Sequence, residues 1–409
     1  FSTISQKIMN IKKLNFRTIL RNLFLLLVMT VITSCSSSTR NPVPKEYAQQ
    51  ANVKGYETVR AHGYGKNEYF QKDLEQSLKT YLSNQGKKPK IDILALSGGG
   101  SDGAFSAGII NGWSQSRKRP EFYLVTGIST GALVAPFAFL GEKYDQRLKE
   151  AFTTISAEDV FEIDLTNAVL GNSASLASTK PLEKLIEKYM NQEVFDDIIK
   201  AHNEGRRLYI GTTNIDNQRV NIWNIGEIAI QPDKEKSLAL IRKILLASAS
   251  IPVAFPPVKF DVKVDHKDYD ELHVDGGMMT EVFLYGFSVD FLEALNKINY
   301  HDEIDKSLYI IRNSKIHKDY VPVDQSFLSI GTKALFTLTT SQGVGDLFRI
   351  YYLSMKDGFK YNFTYIPYSY NPISQEPFDN LEMNQLYELG YKMGKSQDYW
   401  KHSPANITF

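Results

Sequence analysis

A single cysteine, Cys35, stands among 409 residues, so neither a disulfide framework nor a cysteine-bearing zinc site can be built within one chain. Charge of one sign is not in excess either: 47 basic side chains face 46 acidic ones, a net +1. No stripe of Lys and Arg interleaved with aromatics appears, and nothing points to nucleic acid. Internal repeats are missing, and the only low-complexity tract is the serine run after Cys35. Apolar residues at 43% and charged residues at 23% are close to a globular average, which argues against disorder and against a multi-span membrane protein. The length allows two or three ordinary domains, or one large α/β domain with additions.

Basic charge is concentrated at the start. Lys7, Lys12, Lys13, Arg17 and Arg21 precede Cys35 with no acid among them, and they lead into the apolar run Leu23 to Ile32. That run covers about 10 residues, too short for a span of roughly 20, and has the form of a signal peptide. Because the chain opens on Phe1, Met9 is the expected true start. Ile32-Thr33-Ser34-Cys35 resembles a bacterial lipoprotein signal. The resemblance implies lipidation of Cys35, a mature protein starting there, and a membrane-anchored lipoprotein of the bacterial envelope, on the outer membrane or its periplasmic face. Anchoring by several acyl chains would be durable where one is marginal, at about 0.8 kcal/mol per buried CH₂.

The rest alternates between strands and helices. Leu74, Leu78 and Leu82 predict a helix from about Gln71 to Leu82. Ile91 to Leu96 reads as a buried strand ending in Ser97-Gly98-Gly99-Gly100, and Ala104 to Trp113 as the helix after it. Phe122 to Val125 is a second strand, and Ala132 to Leu140 a second helix. Further helices are expected over Pro181 to Tyr189 and Val194 to His202, and strands over Arg207 to Thr212, Val220 to Trp223, Leu272 to Val274 and Ser307 to Ile311. Leu381 to Lys392 reads as a closing helix capped by Asp379. Such alternation predicts a three-layer α/β/α fold with a mostly parallel central sheet. The aromatic-rich end from Tyr351 is expected to pack as core.

Gly127-Ile128-Ser129-Thr130-Gly131 has the G-x-S-x-G form of a nucleophile elbow, in which a serine on a sharp strand-to-helix turn needs small neighbours. Ser129 is therefore the candidate nucleophile. A nucleophilic serine also needs donors for an oxyanion, and Gly98, Gly99, Gly100 and Gly103 lie in a loop whose backbone N–H groups can approach a reacting atom. The same glycines satisfy G-x-G-x-x-G, but Glu121 precedes its strand instead of ending one, which argues against dinucleotide binding. For a base, none of the seven histidines sits in a recognisable catalytic frame, although His301 and His317 follow Asp275 as a Ser, Asp, His order requires. Asp275 ends a short strand and is followed by Gly276 and Gly277.

Together these pieces resemble the patatin-like phospholipase family. The loop Gly98 to Gly103, the elbow Gly127 to Gly131 and Asp275-Gly276-Gly277 stand in the family's order with similar spacing, and Ala247-Ser248-Ala249-Ser250-Ile251-Pro252 leads to Phe255-Pro256-Pro257 as in the family's fourth block. The match covers roughly Ile91 to Leu284. It implies a lipid acyl hydrolase without metal or cofactor, in which Ser129 attacks an acyl ester, Asp275 is the general base, Gly99 and Gly100 form the oxyanion hole and an acyl-enzyme is hydrolysed by water. Asp102 stands where the family commonly has Arg or Lys, which opens neutral lipids and thioesters as substrates beside phospholipids. Ser248 and Ser250 are expected only to shape the turn into Pro252. A histidine-containing triad and a non-catalytic lipid-binding protein are the rival readings. The expected layout is a signal peptide over 1–34, a lipid-anchored tether and helical lead-in over 35–90, the catalytic domain over 91–290 and a packed extension over 291–409.

Overall fold

Runs rich in Ile, Val and Leu fold into ten strands of one sheet. In chain order they are β1 (Asn52–Val53), β2 (Arg60–His62), β3 (Lys90–Leu96), β4 (Leu124–Ile128), β5 (Arg207–Asn214), β6 (Arg219–Asn224), β7 (Val258–Val264), β8 (Lys267–Asp275), β9 (Asp305–Arg312) and β10 (Lys360–Tyr365). This computed structural model describes residues 40–404 apart from 64, 164–176, 286–287 and 318, so the expectations for the signal peptide and for lipidated Cys35 lie outside the described residues. Successive side chains of a strand point to opposite faces. Along β3, Ile91, Ile93 and Ala95 enter one apolar core, and Leu94 and Leu96 enter another. Both faces are therefore covered by helices, and the three-layer α/β/α architecture follows.

The helices that matter below are α1 (Glu68–Ser83), α2 (Gly103–Gln115), α3 (Thr130–Leu140), α4 (Lys234–Ser248) and α5 (Asn380–Ser396). Phe70, Leu74 and Leu78 seat α1 on one face of the sheet, while α2, α3 and α4 contribute to the core on the other. Asp379 caps α5 by accepting the Glu382 N–H at 2.9 Å. Among the described residues no helix is long and apolar enough to cross a membrane.

The sheet is mixed, and its parallel part runs β5, β4, β3, β9, β10. The strands β1, β2, β6, β7 and β8 join antiparallel. The boundary expected at residue 290 does not divide this sheet. β9 pairs in parallel with β3 from Asp305↔Lys90 to Ile311↔Leu96, and β10 lies beyond it. Residues after 290 thus supply two strands next to the first glycine loop, because the apolar β9 is long enough to cover the edge of β3. In the aromatic-rich end Phe359, Tyr361, Phe363 and Tyr387 are buried, whereas Tyr352 and Tyr368 are exposed.

Helices α2 and α5 touch through glycine. A Cβ on Gly108 or Gly112 would collide with the Tyr387 or Tyr391 carbonyl oxygen, and a Cβ on Gly390 or Gly394 with the Phe105 or Ile109 carbonyl oxygen. The backbones can meet this closely only because both helices carry glycines four residues apart on the facing sides. Replacing Gly390 with Ala is expected to cost about 1–3 kcal/mol in chemical denaturation, because neither backbone can move without unpacking the helix pair. Gly345→Ala is the contrast: it sits in the helix Phe327–Asp357 with open space around it, and should be neutral or stabilising by up to about 1 kcal/mol.

Candidate active site

β5 has only two edges. One is taken along Tyr209–Asn214 by β6. The other is shared: β4 runs parallel to Arg207–Gly211 and ends with Ile128 opposite Gly211, while β8 arrives antiparallel along Asn214–Thr212 and ends with Asp275 opposite Thr212. Two strands running towards each other on one edge bring their carboxyl ends together, which is how Ser129 and Asp275 become neighbours.

Ser129 has φ 55° and ψ −128°, between β4 and the first turn of α3. A residue with a side chain rarely adopts this backbone, and the strain exposes the hydroxyl at the tip of the turn. Gly131 allows it, since a Cβ there would stand 2.5 Å from the Leu96 carbonyl oxygen. The loop after β3 lies over the serine: a Cβ on Gly98 would be 3.1 Å from the Ser129 Cβ. Gly98 N–H is spent on the Glu281 carbonyl at 3.1 Å, and Gly103 N–H on the carbonyls of Gly100 and Ser101. Gly99 and Gly100 N–H have no backbone partner among the described residues, and Gly100 takes φ 59°.

Asp275 is 5% exposed. Its Oδ1 accepts the Gly277 N–H at 2.7 Å, and Oδ2 is buried without a geometric hydrogen bond. Burial pushes its pKa up to about 7, against the opposing pull of the Ser129 hydroxyl and the Gly277 N–H. Gly276 lets the strand end close on β5, because a Cβ there would lie 2.7 Å from the Gly211 carbonyl oxygen.

Beside Ser129 and Gly100 lies an apolar cavity of about 110 Å³, walled by Leu133, Phe152, Leu185, Tyr189, Leu245 and Phe378 among others. A larger polar cleft of about 610 Å³, lined by residues of α2 and α5 among others, touches neither Ser129 nor Asp275.

The family follows from this geometry together with one match. Residues 94–285 fit the family model described as patatin-like phospholipase. The central segment of the chain belongs to the patatin-like phospholipase family. A cGAMP-activated phospholipase of Escherichia coli (strain TW11681) is 26% identical over 249 residues, which are 57% of this chain and 64% of that relative. The alignment with the solved structure of VipD from Legionella pneumophila covers 75% of this chain and 67% of that one, at 12% identity and a TM-score of 0.37.

In the patatin-like domain no histidine is brought to Ser129 among the described contacts. His301 is exposed and precedes β9, at the end of the sheet opposite the site and roughly 20 Å away at about 3.3 Å per residue. His317 is exposed and stacks on Tyr368. His273 is fully buried two residues before Asp275, where its Nδ1 meets Thr212 Oγ1 at 2.8 Å and its Nε2 meets Glu271 at 3.1 Å. Thr212 Oγ1 accepts the Trp223 N–H at 2.8 Å, so its own proton goes to Nδ1 and the His273 Nε2–H donates to Glu271. Burial lowers the His273 pKa, which leaves it a neutral core residue. Burial alone would raise Glu271, but the Arg60 charge and the hydrogen bonds of His273 and Arg60 outweigh it and hold the carboxylate at about 2.

Two contributors escaped sequence reasoning. Asn313, just past β9, accepts the Ser106 N–H at 3.1 Å, and its Nδ2 donates to the Ser97 carbonyl at 3.0 Å, pinning both ends of the glycine loop. The only sequence signal was that it ends a buried strand. The second is Ser248, whose hydroxyl accepts the Ser129 N–H at 3.0 Å. As for Asp102, it stands just before α2, where an acid suits the helix dipole; the Tyr370 pKa is raised mainly by burial, then by Glu382, with the Asp102 charge adding to them.

A carboxyl whose pKa rises on folding holds a proton that the unfolded chain has already lost between about pH 4 and 7. Wild-type stability from this group therefore falls as pH rises through that window. Asp275→Asn should melt above wild type at pH 8, with the gap closing towards pH 4; equal melting temperatures at pH 8 would show that the carboxylate is not held in a desolvated site.

Proposed function

We propose that this chain is a lipid acyl hydrolase in which Ser129 is the nucleophile and Asp275 the general base. The observation that carries the reading is the meeting of Ser129 with the buried Asp275, Ser129 itself lining an apolar cavity. An elevated carboxyl pKa near neutrality suits a base that must both take and return a proton. In the forward step the Ser129 oxygen bonds to the ester carbonyl carbon while its proton passes to Asp275. The oxyanion that forms faces Gly99 and Gly100 N–H. Collapse breaks the ester bond, and the leaving alcohol takes the proton from Asp275. Water then attacks the acyl-serine, giving one proton to Asp275, which returns it to Ser129 as the fatty acid leaves.

The cavity walls support an acyl chain as the buried part of the substrate, since their side chains are almost wholly apolar. Phospholipid is the first substrate to try, given the family. Asp102 in place of a cation keeps neutral glycerides and thioesters on the same panel. The basic, apolar and Cys35-bearing amino-terminal sequence supports export and lipid anchoring, which would hold such a site beside a membrane.

The test is turnover of p-nitrophenyl esters, phospholipids, neutral glycerides and acyl thioesters by wild type beside Ser129→Ala and Asp275→Asn. Both variants should lose at least about 10³-fold in kcat/KM, roughly 4 kcal/mol of transition-state stabilisation. Wild-type kcat/KM should rise with pH through about 7, as Asp275 ionises. Loss of activity in His317→Ala as complete as in Asp275→Asn would return the histidine triad, and inactivity of wild type on every substrate would leave lipid binding. Leu185→Trp, which narrows the cavity, should slow long-chain esters more than p-nitrophenyl acetate.

A further inference from the structure

Where β4 stops, its ladder with β5 is interrupted, and the buried turn at the end of α4 fills the gap. Ser248 Oγ accepts the Ser129 N–H at 3.0 Å and donates to the Gly211 carbonyl at 2.7 Å. Two residues on, the Ser250 carbonyl accepts the Asp275 N–H at 2.9 Å. One three-residue segment thus bonds to the ends of β4 and β8 and to β5, whose edge they share. Both serines are 0% exposed.

We propose that Ser248 is a positioning residue for the nucleophile, and that Ser248–Ser250 is the brace that fixes Ser129 relative to Asp275. The proposal rests on reading these two as nucleophile and base. A serine that only shaped a turn would bond locally, as Ser250 Oγ does with the Leu246 carbonyl at 2.8 Å. Ser248 instead reaches partners 119 and 37 residues away in sequence. A hydroxyl is one donor and an acceptor, so it can stand between an N–H and a carbonyl that would otherwise pair directly as a ladder rung. Inserting it holds the Ser129 backbone away from β5 at the point where φ turns to 55°. The same bond occupies the nucleophile's own N–H, which leaves the oxyanion to Gly99 and Gly100. Ala249, between the two serines, lines the acyl cavity, so the brace also sets where the chain of the substrate lies relative to the serine.

The experiment compares Ser248→Ala with Ser248→Thr in the full chain. Fluorophosphonate labelling of Ser129 and kcat should fall about 10- to 100-fold in the alanine variant, with KM within about twofold of wild type. The threonine variant keeps the hydroxyl and should recover both rates to within about fivefold. An alanine variant as fast as wild type, or a threonine variant as slow as the alanine one, overturns the proposal. Deuterium exchange of the Ser129 amide reads the same hydrogen bond without turnover: it should be faster in the alanine than in the threonine variant, and equal rates overturn the brace. A wild-type chain that neither labels nor hydrolyses any ester would sink the hydrolase reading instead, and amide exchange would still decide the bond.

Discussion

The shared edge of β5 is the constraint on which the site depends. A strand offers two edges, and with β6 along one, β4 and β8 must divide the other. Because one is parallel and the other antiparallel to β5, their carboxyl ends converge, which brings Ser129, the residue after β4, beside Asp275, the last residue of β8. No direct hydrogen bond between β4 and β8 is needed for this. The geometry is inherited from the backbone ladder, which is among the most rigid parts of any fold.

That placement has a cost in charge. Asp275 lies at the end of a buried strand and is itself buried, so water hardly solvates its carboxylate and its pKa rises to about 7. The nearby Glu271 shows what a structural carboxylate looks like in the same strand: equally buried, but paired with Arg60 and bonded to His273, it stays ionised. The difference between the two acids is the presence of a cation. A carboxylate left without one is poised to exchange protons, and one locked to an arginine is not.

The glycine loop is held from behind as well as from its ends. Asn313 ties it to the end of β9, and α2, which begins at the loop, is clamped against α5 by glycines on both helices. Both supports come from residues after 300, beyond the segment that matches the patatin-like family, so the last quarter of the chain helps to hold the candidate site.

By itself the sequence determined many of the elements and the candidate residues. β-branched runs and four-residue leucine spacing report local burial, and the glycines at 99, 127, 131 and 276 stand where a Cβ would collide with backbone, so many of the strands and helices, Ser129 and Asp275 were legible one at a time, while the helices Lys234–Ser248 and Phe327–Asp357 and the strands Val258–Val264 and Lys360–Tyr365 were not. Tertiary structure decided what depends on contacts between distant segments. Nothing local in Ser307–Ile311 says that it pairs beside β3, nothing in Asn313 says what its amide will meet, and Ser248 looks like any turn serine until β4, β5 and β8 are assembled around it. Hydrogen-bond partners more than 100 residues apart leave no periodicity for a sequence to show, because the energy that selects them exists only once the sheet has closed.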